Sequence, residues 1–163
     1  MKSDLDALMM TNQIDVLLIT GPAFYNPTMM YMTGGGHISK AELVKKRGEQ
    51  PVLFCGIMER EEAAKTGLPI RLYSDYPFAE QLKEANGDSE LAAAITLRKQ
   101  LQDLGITKGR IAIYGQVEAG PIFANLPRVS KMLPDLEFPG FVVDPSINLA
   151  MITKEPDEVE PIL

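Results

Sequence analysis

The sequence predicts an α/β protein, a mixed β-sheet flanked by helices, and three observations carry that prediction. The compact apolar runs "IDVLLIT", starting at Ile14, and "RIAIYG", starting at Arg110, read as buried strands. Between them "AELVKKRGEQPVLFC", residues 41–55, sets two apolar runs about a charged turn containing Gly48, a hairpin signal that brings in an antiparallel pair. Residues 89–104 read as a helix, because Leu91, Ile95, Leu97, Leu101 and Leu104 fall largely on one side, Ser89 can cap it and Gly105 ends it. A helix of that length packs across a sheet.

The other elements follow in chain order. Residues 3–12 place Leu5, Leu8 and Met9 at helical spacing behind Ser3 and Asp4 as caps, and give way at Asn12-Gln13 to the first strand. That strand ends at Gly21-Pro22, and "AFYNPTMMYMTGGGHIS" then reads as an irregular but packed connection, crowded with Phe24, Met29, Met30, Tyr31 and Met32. After the hairpin, "IMEREEAAKTG" has good helix formers and a stop at Gly67, and "PIRLYS" reads as a strand. "PIFANLPRVSKMLP" reads as a helical stretch broken at Pro127. The tail suggests a short strand, another crossing near residues 142–144, and a turn or short helix from Pro145. No repeat or linker-like segment interrupts residues 1–152, which are expected to form one domain.

Composition narrows the function classes. The formal charge is −6 and the basic residues are scattered, which argues against polyanion binding, since that needs a concentrated basic face. Lys45-Lys46-Arg47 is the one tight basic cluster, and beside Gly48 it reads as a solvated hairpin tip, with a contact patch as the alternative. No apolar run approaches the ~18 residues of a membrane span. A single cysteine, Cys55, and an N-terminus without a signal-peptide core point to a cytoplasmic setting.

Candidate chemistry is sparse. Gly34-Gly35-Gly36 could cradle phosphate with backbone N–H groups, but it lacks the spacing of nucleotide-binding loops, so positive φ or close packing is the other reading. His37 is the one histidine; it is either a catalytic or substrate-contacting group, here or across an interface, or a loop residue. Cys55 lies in an apolar strand and reads as a small core residue. The acids of "MEREEAA", Glu59, Glu61 and Glu62, read as a solvated helix face and not as metal ligands, and no calcium-loop pattern occurs. No catalytic, cofactor-binding or metal-binding residue is therefore assigned.

The order of motifs resembles the N-terminal domain of the creatinase/prolidase family of "pita-bread" metallopeptidases, which includes Xaa-Pro dipeptidases and aminopeptidases. The similarity rests on "IDVLLIT" followed by "NPTMMYMTG", on "EQPVLFCGIMEREEA" as a hairpin return strand and the helix after it, and on "KEPDEVEPI". That last stretch resembles the family's Lys-Ser-Pro-Glu-Glu-Ile, which opens the first helix of the catalytic domain; Pro156 followed by Asp157 and Glu158 suits a helix start on physical grounds as well.

The resemblance implies that residues 153–163 are a junction and the start of a catalytic domain this chain does not contain. It implies two divalent metal ions, manganese or cobalt, held by that domain and none in this chain, and a parent that hydrolyses proline-containing peptides. It implies a homodimer in which this non-catalytic domain packs against its own catalytic domain, builds the interface and restricts access to the active site. Departures stand at Glu155, where the family has Ser, at Pro161 inside the expected helix, and at Gly35-Gly36-His37, where the family has an aromatic residue after the glycine. The alternatives are a stand-alone small-molecule-binding α/β module using the Gly34–Gly36 turn, and the N-terminal domain of a creatinase-like hydrolase acting on a non-peptide.

Overall fold

The computed structural model describes residues 3–141 and 146–152. Among them the strands are β1 (Val16–Gly21), β2 (Ala41–Lys46), β3 (Val52–Cys55), β4 (Ile70–Leu72), β5 (Gly109–Gly115) and β6 (Leu136–Glu137). They form one sheet in the order β4-β3-β2-β1-β5-β6. β2 is antiparallel to both β1 and β3, whereas β1 with β5, β3 with β4 and β5 with β6 are parallel. The helices are α1 (Ser3–Thr11), α2 (Pro27–Thr33), α3 (Arg60–Ala64), α4 (Phe78–Glu84), α5 (Ser89–Asp103), α6 (Ala119–Met132) and α7 (Ile147–Ile152). The expected mixed sheet, its hairpin and its flanking helices are present.

Strand alternation divides the interior in two. Leu17, Ile19, Leu43, Leu53 and Ala112 look toward one side, where Leu5 and Met9 of α1, Met29 of α2 and Ile147 of α7 pack against them. Val16, Leu18, Val44, Phe54 and Ile111 look the other way, toward Ala94 and Leu101 of α5 and Val129 of α6. At the carboxyl end of β5, Gly115 has a φ of 115°, and a Cβ there would stand 1.9 Å from the carbonyl oxygen of Thr20. Only glycine allows β1 and β5 to close at that point.

Several sequence-based expectations need correction. Residues 23–39 are not wholly irregular, because α2 lies within them. Asn26 caps it, with Oδ1 accepting from the Met29 N–H at 3.4 Å and Nδ2 donating to the Thr20 carbonyl at 3.0 Å; Pro27 takes a first-turn position and Gly34 closes the helix in the left-handed region. The cap of α5 is Asp88, which accepts from the N–H groups of Glu90 and Leu91, so Ser89 is already inside the helix.

Pro127 does not break the helix in which it lies; α6 runs through it. Phe123 and Pro127 both face outward, so the Phe123 carbonyl that loses its partner can be hydrated. The helix α4 had no forecast. The strand expected near residues 142–144, the turn at Pro145 and the helix start at Pro156 lie outside the described residues; α7 is the short helix expected after Pro145.

The basic cluster is the largest correction. Lys45 is buried at 1% exposure, and its Nζ donates to Asp6 Oδ1 at 2.6 Å and to the Lys46 carbonyl at 2.9 Å. Arg47 donates to the Ile14 carbonyl and to Asp15 Oδ1, both at 2.8 Å. The alternation of β2 explains this: Lys45 falls on the same face as Ala41 and Leu43, so it points under α1 instead of into water. These cations join the hairpin to α1 and to the entry of β1.

Candidate functional site

Five of the six strands run the same way, so their carboxyl ends share one edge of the sheet, the edge at which open α/β sheets place ligand sites. The segment leading into α2, a 3-10 turn at Ile57–Glu59, another at Tyr73–Asp75 and residues 116–118 all gather there. Several exposed apolar side chains sit on these segments: Phe24, Tyr25, Ile57, Met58 and Val117. Phe24 and Tyr25 stack edge-to-face with ring centroids 5.6 Å apart, and Met30 of α2 is also exposed. Met29, one residue away, is fully buried, so the aromatic and methionine-rich stretch serves both the core and the surface.

From this edge a cavity of about 640 Å³ runs between the sheet and the α5–α6 pair. Leu18, Thr20, Glu42 and Ile113 form its floor; Ala93, Thr96, Leu97 and Gln100 of α5 and Ile122 and Leu126 of α6 form its walls. Tyr73, Tyr76, Phe78 and Val117 line it as well. The volume falls within the range typical of small-molecule sites, ~300–1,000 Å³, and the lining is mainly apolar with a few polar groups.

Those polar groups are unevenly paired. Gln100 Nε2 donates to Glu42 Oε2 at a long 3.3 Å, and Gln100 itself is buried. Glu42 keeps part of its surface open to the cavity, but its carboxyl is withdrawn from bulk water, and that burial pushes its pKa up; Gln100 and Lys40 only partly oppose the shift. The Tyr73 hydroxyl is buried with no hydrogen-bond partner among the described residues. Burial first, then the nearby Glu42, push this phenol well above the usual range. Burial and then a 2.9 Å hydrogen bond to Asp103 push Tyr76 up to about 12. Lys40 Nζ stands 5.6 Å from the centre of the Tyr73 ring.

The residues singled out in the sequence do not meet here. Gly34, Gly35 and Gly36 all have positive φ, yet a Cβ at any of them would meet nothing within 4 Å; of the two structural readings, conformation holds and close packing does not. The Gly34 N–H is spent on the Met30 carbonyl and the Gly35 N–H on Thr33 Oγ1. The turn also follows the carboxyl end of α2, where the helix dipole repels phosphate, so the phosphate-cradle reading fails. His37 is exposed on the loop before Ile38, and its charge helps lower the pKa of Glu62, after the hydrogen bond from Lys65.

Cys55 is fully buried in the core at the end of β3, and burial pushes its thiol up, away from reactivity. Glu59 accepts from Ser39 Oγ at 2.7 Å and Glu62 pairs with Lys65, so these acids act locally. Among the described residues no group of three or more His, Cys, Asp or Glu converges where a metal ion could be held, and no helix is long and apolar enough to cross a membrane. Sequence reasoning missed Glu42, Tyr73 and Gln100. A signal existed for the first: Glu42 occupies the same strand face as buried Val44, an acid where alternation calls for an apolar residue.

The layer order and sheet define the class as the creatinase/prolidase N-terminal-domain fold, as the sequence resemblance implied. Solved structures make this specific. The chain is similar to the N-terminal domain of Xaa-Pro dipeptidase from Lactobacillus brevis, with a TM-score of 0.54 and 17% identity over 93% of this chain and 98% of that one. It is similar to X-Pro aminopeptidase from Thermotoga maritima (TM-score 0.61, 19% identity) and to a dipeptidase from Pyrococcus horikoshii (TM-score 0.59, 17% identity). Each of these two alignments covers 98% of this chain, which spans 38% of the longer protein's length. At these identities the likeness shows the fold. No family model and no curated protein matches the sequence.

Proposed function

We propose that this chain is the non-catalytic N-terminal domain of a metal-dependent Xaa-Pro peptidase, a dipeptidase or aminopeptidase, and that it serves dimerisation and access to the active site. The observation that carries the reading is the coverage: the chain matches nearly the whole of an excised Xaa-Pro dipeptidase N-terminal domain, and 38% of two longer peptidases. The two divalent metals, the peptide substrate and the hydrolytic chemistry belong, on this reading, to a further domain working in the cytoplasm. The exposed Phe24, Tyr25 and Met30 support an interface, because apolar groups clustered on a surface are stabilised when a partner covers them.

Two measurements test this. The purified chain with manganese is expected to leave Xaa-Pro dipeptides and longer Xaa-Pro peptides intact; metal-dependent turnover would overturn the non-catalytic assignment. Light scattering is expected to show a dimer that Phe24→Ser with Tyr25→Ser weakens at least tenfold, a loss of ~1.4 kcal/mol or more. A strict monomer at high concentration, or a dimer indifferent to both substitutions, would remove the interface role from this surface.

A further inference from the structure

We propose that the cavity between the sheet and α5–α6 is a binding site for a small organic cation, a primary amine carrying an aromatic or aliphatic body. The inference is independent of the peptidase reading, since it concerns a cavity lined by this chain's own sheet and helices.

Hydrogen-bonding capacity is left unmet at Glu42. Glu42 has two carboxyl oxygens with about four acceptor sites, and the described residues engage only one oxygen, at 3.3 Å. An ammonium group offers three donors from one atom, so it can serve the open acceptor sites of the Glu42 carboxylate, and a charged donor makes the stronger bond.

Charge selects the same ligand. Glu42 and Glu118 both line the chamber against one cation, Lys40, and Lys40 is an exposed side chain with its ammonium over the Tyr73 ring. An anion would have to settle beside the Glu42 carboxylate; an amine is drawn to it. The ligand's body is specified by the rest of the lining. Leu18, Leu97, Ile113 and Leu126 offer apolar contact, and Tyr76 and Phe78 offer aromatic faces. Phe78 and Val117 are also 47% and 46% exposed, apolar groups that an occupant would cover.

The test uses the purified chain and three probes with a common phenylethyl body: 2-phenylethylamine, neutral 2-phenylethanol and anionic 3-phenylpropionate. Amide chemical shifts followed during titration are expected to move around Thr20, Glu42, Thr96 and Gln100, with the amine about tenfold tighter than the alcohol and the carboxylate weakest. Glu42→Gln is expected to bring the amine down to the affinity of the alcohol, with a much smaller change for the alcohol itself. Ala93→Trp, which fills the chamber from α5, is expected to abolish binding of all three; the shift map of the unaltered chain locates the site even if this variant fails to fold. The proposal is overturned if no probe perturbs these residues, if the carboxylate binds best, or if the amine keeps its advantage in Glu42→Gln.

Discussion

Leu17 and Leu18 are neighbours in β1 with the same side chain and nearly the same exposure, 0% and 3%, yet they look into different interiors. Leu17 enters the side closed by α1, α2 and α7, where Leu5, Met9, Met29 and Ile147 belong to the same buried cluster. Leu18 enters the side under α5 and α6, where it forms part of the floor of the 640 Å³ cavity. Both side chains meet packed atoms over nearly all of their surface, but the small remainder of Leu18 borders the cavity, while Leu17 does not border it. Dispersion attraction needs partner atoms at van der Waals distance, so the packed face supplies more stability per residue and the open face keeps room for a ligand.

The most direct way to break this comparison is to truncate both residues. Leu17→Ala is expected to cost about 4 kcal/mol and Leu18→Ala, whose site can relax into the adjoining cavity, about 2 kcal/mol, both within the range for buried leucine truncation. Urea denaturation with unchanged m-values would measure both. Equal costs would mean that α5 and α6 close over the cavity in solution.

Legibility in the sequence did not divide along the two faces: α1 on the packed side and α5 on the open side were both readable, while α2 and the inward turn of Lys45, both on the packed side, were not. Apolar periodicity placed α1, β1, the hairpin and α5, because each has a run long enough for one repeat to dominate. α2 was missed although its signals are strong in retrospect: Asn26 before Pro27 and glycine after Thr33 are a cap, a first-turn proline and a stop. The crowding of methionines and aromatics is a signal of packing that overlies those boundaries. Lys45 was misjudged because a run of three cations suggests a solvated tip, while strand alternation, which acts residue by residue, sends Lys45 inward to Asp6. The cavity itself was not legible, because it is defined by the distance at which α5 and α6 cross the sheet, and one-dimensional patterning does not encode that distance.

Filling is the converse of truncation. Ala112 is fully buried on the packed face of β5, and Ala112→Leu is expected to cost about 3 kcal/mol, since added methylenes there must displace close neighbours. Ala93 lines the cavity from α5, and Ala93→Leu is expected to be neutral or to gain up to ~1 kcal/mol by occupying existing space. Thermal and urea unfolding of both variants would sharpen the comparison; a destabilised Ala93→Leu would show that the open face tolerates no more volume than the packed one.

The two faces also hold their charges differently. On the packed side Lys45, 1% exposed, has Asp6 as its carboxylate partner at 2.6 Å, and Asp6→Asn would leave that ammonium without an ion pair. The expected cost is about 2 kcal/mol at neutral pH, below the full penalty for a buried unpaired charge because Asp6 is 30% exposed. Measurement in high salt should leave most of the loss in place, as a buried partner is weakly screened. A variant as stable as the parent would mean that Lys45 finds another acceptor, its existing bond to the Lys46 carbonyl included.

Glu42, on the open side, supplies the smallest effect and the one with opposite sign. Burial raises its folded-state pKa above the ordinary value of 4.5, so folding is most favoured where the carboxyl is protonated in both states, below 4.5, and loses stability as the pH rises through the raised value. For Asp6, burial pushes the pKa up but the hydrogen bonds from Lys45 and Gly48 outweigh it, and the net shift is downward from 3.8. Its contribution is present above 3.8 and disappears as the pH falls through the depressed folded value. Glu42→Gln should therefore gain about 1 kcal/mol at neutral pH, the scale on which a desolvated charge gives way to a neutral isostere, and nothing in acid, because the parent carboxyl is already neutral there. Stability measured from pH 3 to pH 8 for the parent and this variant would decide the matter. If the difference between them were constant with pH, Glu42 would carry no desolvated charge, and the floor of the cavity would be as well solvated as the outer surface.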